Sequence, residues 1–200
     1  RKNTFHTPDD VFKKTRLPML AHIPYIKLLD KVDESKPFYF GNSESTTAEQ
    51  SNEEREDNNK PTFTDNNWFI FYEEPFRKLY TSIRLISKEK DFKTILITSS
   101  IPSEGKSLIN CLLAKAMAEL ELRILLVDTD MHKPKQHISL GISNSYGLSD
   151  LILDKQADWR VARQNIQGHK KWSVIASGKL TTNDSSLLLS SKRFKDIIND

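Results

Sequence analysis

Residues 94–107 read T-I-L-I-T-S-S-I-P-S-E-G-K-S, and this stretch decides the fold. The apolar, β-branched run at 93–98 predicts a buried parallel strand. A short polar loop follows, and apolar residues then recur at helical spacing from Leu108 to Leu120, which predicts a helix with one apolar stripe. A strand, a loop and a helix in this order are typical of a phosphate-binding loop, where backbone N–H groups and the positive end of the helix surround an anion.

The loop itself is close to the pattern G-x-x-x-x-G-K-[ST], with Ser100 in the place of the first glycine. Gly105 allows close approach of the backbone. Lys106 is predicted to reach the β- and γ-phosphates, and the Ser107 hydroxyl to ligate Mg²⁺. The alternative interpretation is a plain strand-to-helix turn with Lys106 in solvent. The predicted nucleotide-binding residues are Ser100, Pro102, Ser103, Glu104, Gly105, Lys106, Ser107 and Leu108.

A second apolar run, from Arg123 to Asp130, ends in two carboxylates. A strand–helix–strand unit of this length crosses over right-handedly and brings both carboxyl ends to one edge of a parallel sheet. Asp128 is therefore predicted to lie beside the phosphate loop, where it would hold Mg²⁺ or accept a proton. Asp130 would point the same way if the strand continued. Alternatively, both residues are turn acids that cap the next segment.

Four stretches together resemble the bacterial tyrosine kinases, the cytoplasmic domains of proteins that control exopolysaccharide chain length and export. They are S-S-I-P-S-E-G-K-S, L-L-V-D-T-D-M-H-K-P, G-L-S-D-L-I, and S-G-K-L followed by S-S-L-L-L-S-S-K-R-F. The resemblance covers residues 72–200, and R-L-P-M-L-A-H-I-P at 16–24 resembles the segment after the family's second transmembrane helix. It implies a P-loop NTPase-like α/β fold, with a parallel sheet flanked by helices.

The resemblance implies an ATP-dependent autokinase that transfers phosphate from MgATP to tyrosine. Lys106, Asp128 and Asp130 would be the catalytic residues, and Ser107 and Asp128 would bind Mg²⁺. Such chemistry depends mainly on positioning and charge neutralisation.

The resemblance also implies partners and a location. Glu74 and Arg77 match the family's oligomerisation motif E-x-x-R-x-x-R, in which Tyr80 replaces the second arginine. Another departure is His132, which stands where the family usually has arginine. The implied partners are further copies of the chain in a homo-oligomer or ring, the polysaccharide export machinery and a tyrosine phosphatase. The implied location is the cytoplasmic face of the bacterial inner membrane, with attachment through transmembrane helices outside this chain.

The chain divides into three expected parts. Residues 1–40 would be a juxtamembrane segment, 41–67 an acidic disordered linker, and 68–200 the N-terminal part of the kinase domain. No D-T-P-P strand follows Asp130, so we expect the P-loop domain to be incomplete at its C-terminal side. The formal charge of +3 on 200 residues does not favour a nucleic-acid partner. The lone Cys111 is expected to be a small core residue.

Further elements follow from local patterns. Helices are predicted over 68–88, 147–153 with Ser149 as a cap, 158–166, 185–190 and 191–199, with a brief helix after Thr7 and a strand over 171–176.

Two other functions are compatible with the sequence. A related ATPase of the chromosome-partitioning or septum-placement kind would share the loop, but those proteins usually have the pattern K-G-G-x-G-K-[ST]. Ile101, Pro102 and Ser103 provide no second lysine here. The other function is a non-catalytic domain that regulates assembly of the polysaccharide machinery.

Overall fold

The computed structural model describes residues 7–24, 67–87, 92–101, 104–179 and 185–200, with the backbone alone at 67–71. The predicted linker, apart from Asn67, lies outside the described residues, as do Pro102 and Ser103 of the loop. No helix among the described residues is long and apolar enough to cross a bilayer.

The described chain contains both helices and strands, with helices before, between and after the strands. In order they are α1 (Pro8–Thr15), α2 (Asn67–Ile86), α3 (Lys106–Glu119), β1 (Ile124–Val127), α4 (Gln136–Leu140), α5 (Leu148–Leu153), a 3₁₀ turn (Trp159–Ala162), β2 (Gln164–Asn165), β3 (Trp172–Ile175), α6 (Ser185–Ser190) and α7 (Lys192–Asn199). The predicted helices at 68–88, 185–190 and 191–199 and the strand at 171–176 are thereby confirmed. The brief helix after Thr7 is also confirmed, and Thr7 and Asp10 cap it reciprocally.

The sheet separates two apolar clusters, so the described fold has helices on both faces. Strand β3 is the centre of the sheet, parallel to β1 and antiparallel to β2. Its side chains alternate between the faces. Trp172 and Val174 pack with α2 and α3, whereas Ile175 packs with α5 and α7. Helix α3 contacts both the sheet and α2. The sequence-based α/β class is confirmed, but the described sheet is mixed rather than purely parallel.

The prediction of a strand at 93–98 is wrong for this structure. Residues 92–99 form no ladder with any described strand, and Leu96 is 81% exposed. Strand propensity acts through packing and pairing with neighbours, so an apolar run without a neighbour does not become a strand. This segment and β1 line one open groove, and only Ile97 of its apolar residues packs against the α3 cluster. The loop before α3 is therefore preceded by a segment without regular secondary structure, not by a sheet strand.

Two smaller predictions are also corrected. The helix expected over 158–166 is a 3₁₀ turn at Trp159–Ala162 that continues into β2. At α5 the N-cap residue is Gly147, whose N–H donates to the Asp150 carboxylate at 2.8 Å. Ser149 instead donates its hydroxyl to the Lys179 carbonyl at 3.2 Å, which ties α5 to the chain after β3.

Candidate functional site

The first part of the site is the start of α3. Gly105 precedes the helix with a φ of +87°, a left-handed conformation that side chains disfavour. A Cβ atom there would meet no protein atom within 4 Å, so the backbone conformation alone explains this glycine. The left-handed residue turns the chain into α3, and the free N–H groups of the first turn face the loop.

Two side chains hold the described part of the loop together. The Lys106 ammonium donates to the Ser99 hydroxyl at 2.9 Å, so this half-buried lysine reaches back over the loop. The Glu104 carboxylate accepts the N–H groups of Ser100 and Ile101 at 3.0 and 3.3 Å. These amides therefore already bind an anionic oxygen. Lys106 therefore lies against the loop and is only partly exposed to solvent.

The second part of the site is Asp128, directly after β1. Its N–H still bonds to the Ile175 carbonyl, and its side chain is 6% exposed. Its Oδ1 accepts the Asp130 N–H at 3.1 Å, and its Oδ2 accepts the Gln136 N–H at 3.3 Å. Burial raises the pKa of Asp128 to about 6, although these backbone donors act in the opposite direction. Asp128 is thus ionised at neutral pH but close to its titration range.

Asp130 does not point the same way as Asp128, because β1 ends at Val127 and the chain turns. Its side chain is exposed and accepts the Lys133 N–H at 3.0 Å. Both carboxylates therefore accept backbone N–H groups of the chain that follows β1, Asp128 in a buried position and Asp130 at the surface. Next to them, His132 Nε2 lies 2.7 Å from the Ser185 hydroxyl at the start of α6.

Gln136, the first residue of α4, joins the two parts. Its Nε2 donates to the Ser107 carbonyl at 3.1 Å, and its Oε1 accepts the Cys111 thiol at 2.8 Å. Cys111 is fully buried, and its burial, with a smaller contribution from the Asp128 carboxylate, raises the pKa of the thiol. This confirms the prediction of a core cysteine.

The predicted residues are thus partly brought together. Through Gln136 the first turn of α3 and Asp128 share one buried network, whereas Asp130 lies at the surface beside it. Sequence reasoning missed Gln136 and Ser99. Gln136 carries no motif, and its only signal is its place eight residues after Asp128 at the start of a helix. In the described part of the chain no group of three or more His, Cys, Asp or Glu residues forms a metal cluster.

The predicted oligomerisation residues lie elsewhere, on the outer side of α2. Arg77 pairs with Glu73 at 2.5 Å, and Glu74 pairs with Lys78 at 2.6 Å, each within the helix. The Glu74 and Arg77 side chains are 73% and 49% exposed. Both are therefore accessible for a second contact. On the opposite side Phe76 is buried against α3.

The relatives found by comparison with known proteins are named as tyrosine-protein kinases. The chain is 32% identical over 124 residues to "Tyrosine-protein kinase YwqD" of Bacillus subtilis, covering 62% of this chain and 51% of that protein. It is 33% identical over 133 residues to "Putative tyrosine-protein kinase CapB" of Staphylococcus aureus, covering 64% of this chain and 54% of that protein. The chain thus spans about half the length of these curated relatives. No protein-family model matches the sequence.

A solved structure gives the same fold. The kinase domain of the Escherichia coli tyrosine kinase Etk superposes with a TM-score of 0.72 over 96% of this chain and 67% of that domain, at 22% sequence identity. At this identity the likeness shows the fold alone.

Proposed function

This chain is homologous to the bacterial tyrosine kinases and has the fold of their kinase domain, and from that premise we propose that the intact protein is an ATP-dependent tyrosine autokinase. Its reaction would be phosphoryl transfer from MgATP to a tyrosine hydroxyl. The observation that carries the proposal is the buried connection between the first turn of α3 and the Asp128 carboxylate.

The residues fit a nucleotide phosphate. The N–H groups of Ser100 and Ile101 already bind the carboxylate oxygen of Glu104, so this end of the loop presents donors to an anion. Lys106 lies over the same loop and would contribute the positive charge that the β- and γ-phosphates need. The N-terminus of α3 adds its dipole in the same direction.

The residues also fit Mg²⁺, which prefers oxygen ligands. The Ser107 hydroxyl would take one position, and Asp128 would hold the ion directly or through its water shell. Bound there, the ion would neutralise the charge that develops on the transferred phosphoryl group. Asp128 is ionised at neutral pH, yet its pKa of about 6 lies near enough for it to accept the proton of a tyrosine hydroxyl. Asp130 would be a second carboxylate, exposed at the surface beside Asp128.

We extend the proposal to the setting implied by the resemblance. The intact kinase would regulate exopolysaccharide or capsule polymerisation and export at the cytoplasmic face of the inner membrane. It would be anchored by helices outside this chain and opposed by a tyrosine phosphatase. Exposed Glu74 and Arg77 on α2 would contribute to a homo-oligomer, as a ring or a smaller assembly.

The test uses the intact protein with labelled ATP and Mg²⁺, followed by detection of phosphotyrosine. We expect Lys106→Met to weaken ATP binding about 10- to 100-fold, because it removes charge-assisted hydrogen bonds worth about 1.5–3 kcal/mol. Asp128→Asn should bind ATP but lose phosphotyrosine. Lys155→Met, at an exposed position, is the matched control.

Release of free phosphate without phosphotyrosine would favour the partitioning type of ATPase. Absence of nucleotide binding by calorimetry would leave only a non-catalytic regulator.

A further inference from the structure

The side chain of Gln136 is buried, and its amide is hydrogen-bonded at both ends. It is 4% exposed, and each end of its amide bonds to a different residue of α3. The Nε2 donor meets the carbonyl of Ser107, and the Oε1 acceptor meets the thiol of Cys111 one turn later. The backbone N–H of the same residue bonds to Oδ2 of Asp128. One residue thus contacts both elements of the candidate site.

This arrangement fixes the orientation of the amide. Turning the group over would place Oε1 against the Ser107 carbonyl, so that two acceptors faced each other without a proton between them. The thiol would then face a donor instead of an acceptor. Because the amide has one favourable orientation, it sets the distance between α4 and the first turn of α3. The Asp128 carboxylate accepts the N–H of Asp130 near the start of the 128–136 loop and the N–H of Gln136 at its end.

We propose that Gln136 is a positioning residue that holds the Asp128 carboxylate in register with the Ser107 end of the phosphate loop. This inference rests on the proposed function, because register matters only if both residues act on one Mg²⁺–nucleotide group. Gln136 itself would not touch the nucleotide. Partners that orient the ligands of a metal typically change metal affinity or activity by about 10- to 100-fold when they are removed.

A matched control exists in the same fold. Gln164 on β2 also uses both ends of its amide, since its Nε2 donates to the Ser143 carbonyl at 2.8 Å and its Oε1 accepts the Ser143 N–H at 2.9 Å. None of its hydrogen bonds reaches α3 or Asp128. Replacing either glutamine with methionine removes two hydrogen bonds at nearly constant volume. A purely structural role predicts the same kind of effect for both variants.

The experiment compares wild type, Gln136→Met and Gln164→Met in the intact protein. It measures the urea midpoint, ADP affinity by calorimetry with and without Mg²⁺, and the kcat and KM of phosphotyrosine formation. We expect both variants to lower the midpoint. Only Gln136→Met should reduce the gain in ADP affinity that Mg²⁺ provides, by about 10- to 100-fold, with kcat falling in parallel and Mg²⁺-free affinity unchanged.

The outcomes separate this inference from the proposed function. An equal Mg²⁺-dependent gain in Gln136→Met and wild type overturns the inference and leaves the kinase proposal intact. Wild-type protein that neither binds ADP nor forms phosphotyrosine overturns both. If Gln136→Met does not fold, Cys111→Ala takes its place, because it leaves Gln136 itself unchanged and removes the donor that faces Oε1. It should reduce the gain in the same direction, and an unchanged gain there also refutes the positioning role.

Discussion

The buried carboxylate of Asp128 makes a quantitative prediction about stability and pH. Burial raises its pKa from 3.8 to about 6 in the folded protein. The folded state therefore holds the proton more tightly than the unfolded state. By linkage, the free energy of unfolding is highest below pH 4, falls as pH rises between about 4 and 6, and is constant above that window as far as this group is concerned. At about 1.4 kcal/mol per pH unit, the loss is about 3 kcal/mol.

The assay is urea unfolding of wild type and Asp128→Asn at a series of pH values from 3.5 to 7.5. Asparagine has nearly the shape of the protonated acid and does not titrate. We therefore expect the wild type to lose about 3 kcal/mol relative to the variant as pH rises through the window. The other titrating groups are common to both proteins and cancel in the difference.

A second acid serves as the control. The pKa of Asp158 is lowered, mainly because its carboxylate accepts the Arg160 N–H, and its side chain is exposed. Asp158→Asn should therefore show a small pH dependence of the opposite sign, with wild type gaining over the variant as the acid ionises. A difference between wild type and Asp128→Asn that stays constant across the window, or that shifts in favour of wild type, would refute the reasoning about Asp128.

Three further predictions concern local structure. Gly147→Ala should lower the free energy of unfolding by about 3 kcal/mol or more, since a Cβ there would lie 2.3 Å from two backbone atoms. Gly168→Ala, at a φ of +80° in open space, should cost only about 1–2 kcal/mol in the same urea titration. Arg193→Met should cost about 1.5–3 kcal/mol in thermal unfolding, because the guanidinium donates to three carbonyls at the end of α5 and beyond, whereas exposed Lys195→Met should cost almost nothing. Thr7→Ala should increase amide hydrogen exchange in α1 about fivefold, by removing a cap worth about 1 kcal/mol.

Sequence patterns predicted the elements that local chemistry determines. Lys106 opens a helix because Gly105 supplies the left-handed residue before it, and both are visible in the sequence. Asp128 was correctly placed at the end of a strand. The strand predicted at 93–98 is wrong, because an apolar run forms a strand only beside a partner strand. Strand pairing is a property of the tertiary structure, which the local sequence does not specify.

In the candidate site, too, features fixed by the local sequence were predictable and features fixed by tertiary packing were not. The lysine and the buried acid belong to recognisable motifs, and Gln136 connects the first turn of α3 with Asp128. The direction of Asp130 depended on β1 continuing past Val127, which the sequence does not specify. Gln136 was missed because a glutamine after a Lys-Pro-Lys turn is an ordinary surface pattern. Its role arises only from where α4 docks against α3.

The Glu104 carboxylate has a consequence for how tightly any phosphate binds. A triphosphate that entered the loop would compete with an anion that the protein itself supplies to the N–H groups of Ser100 and Ile101. Binding would then be an exchange, in which a side-chain acid moves out to water as the ligand takes its donors. The measured affinity would report the difference between the free energies with which the phosphate and the Glu104 carboxylate bind these N–H groups. A phosphate would therefore displace the uncharged side chain of Glu104→Gln more readily than the native carboxylate.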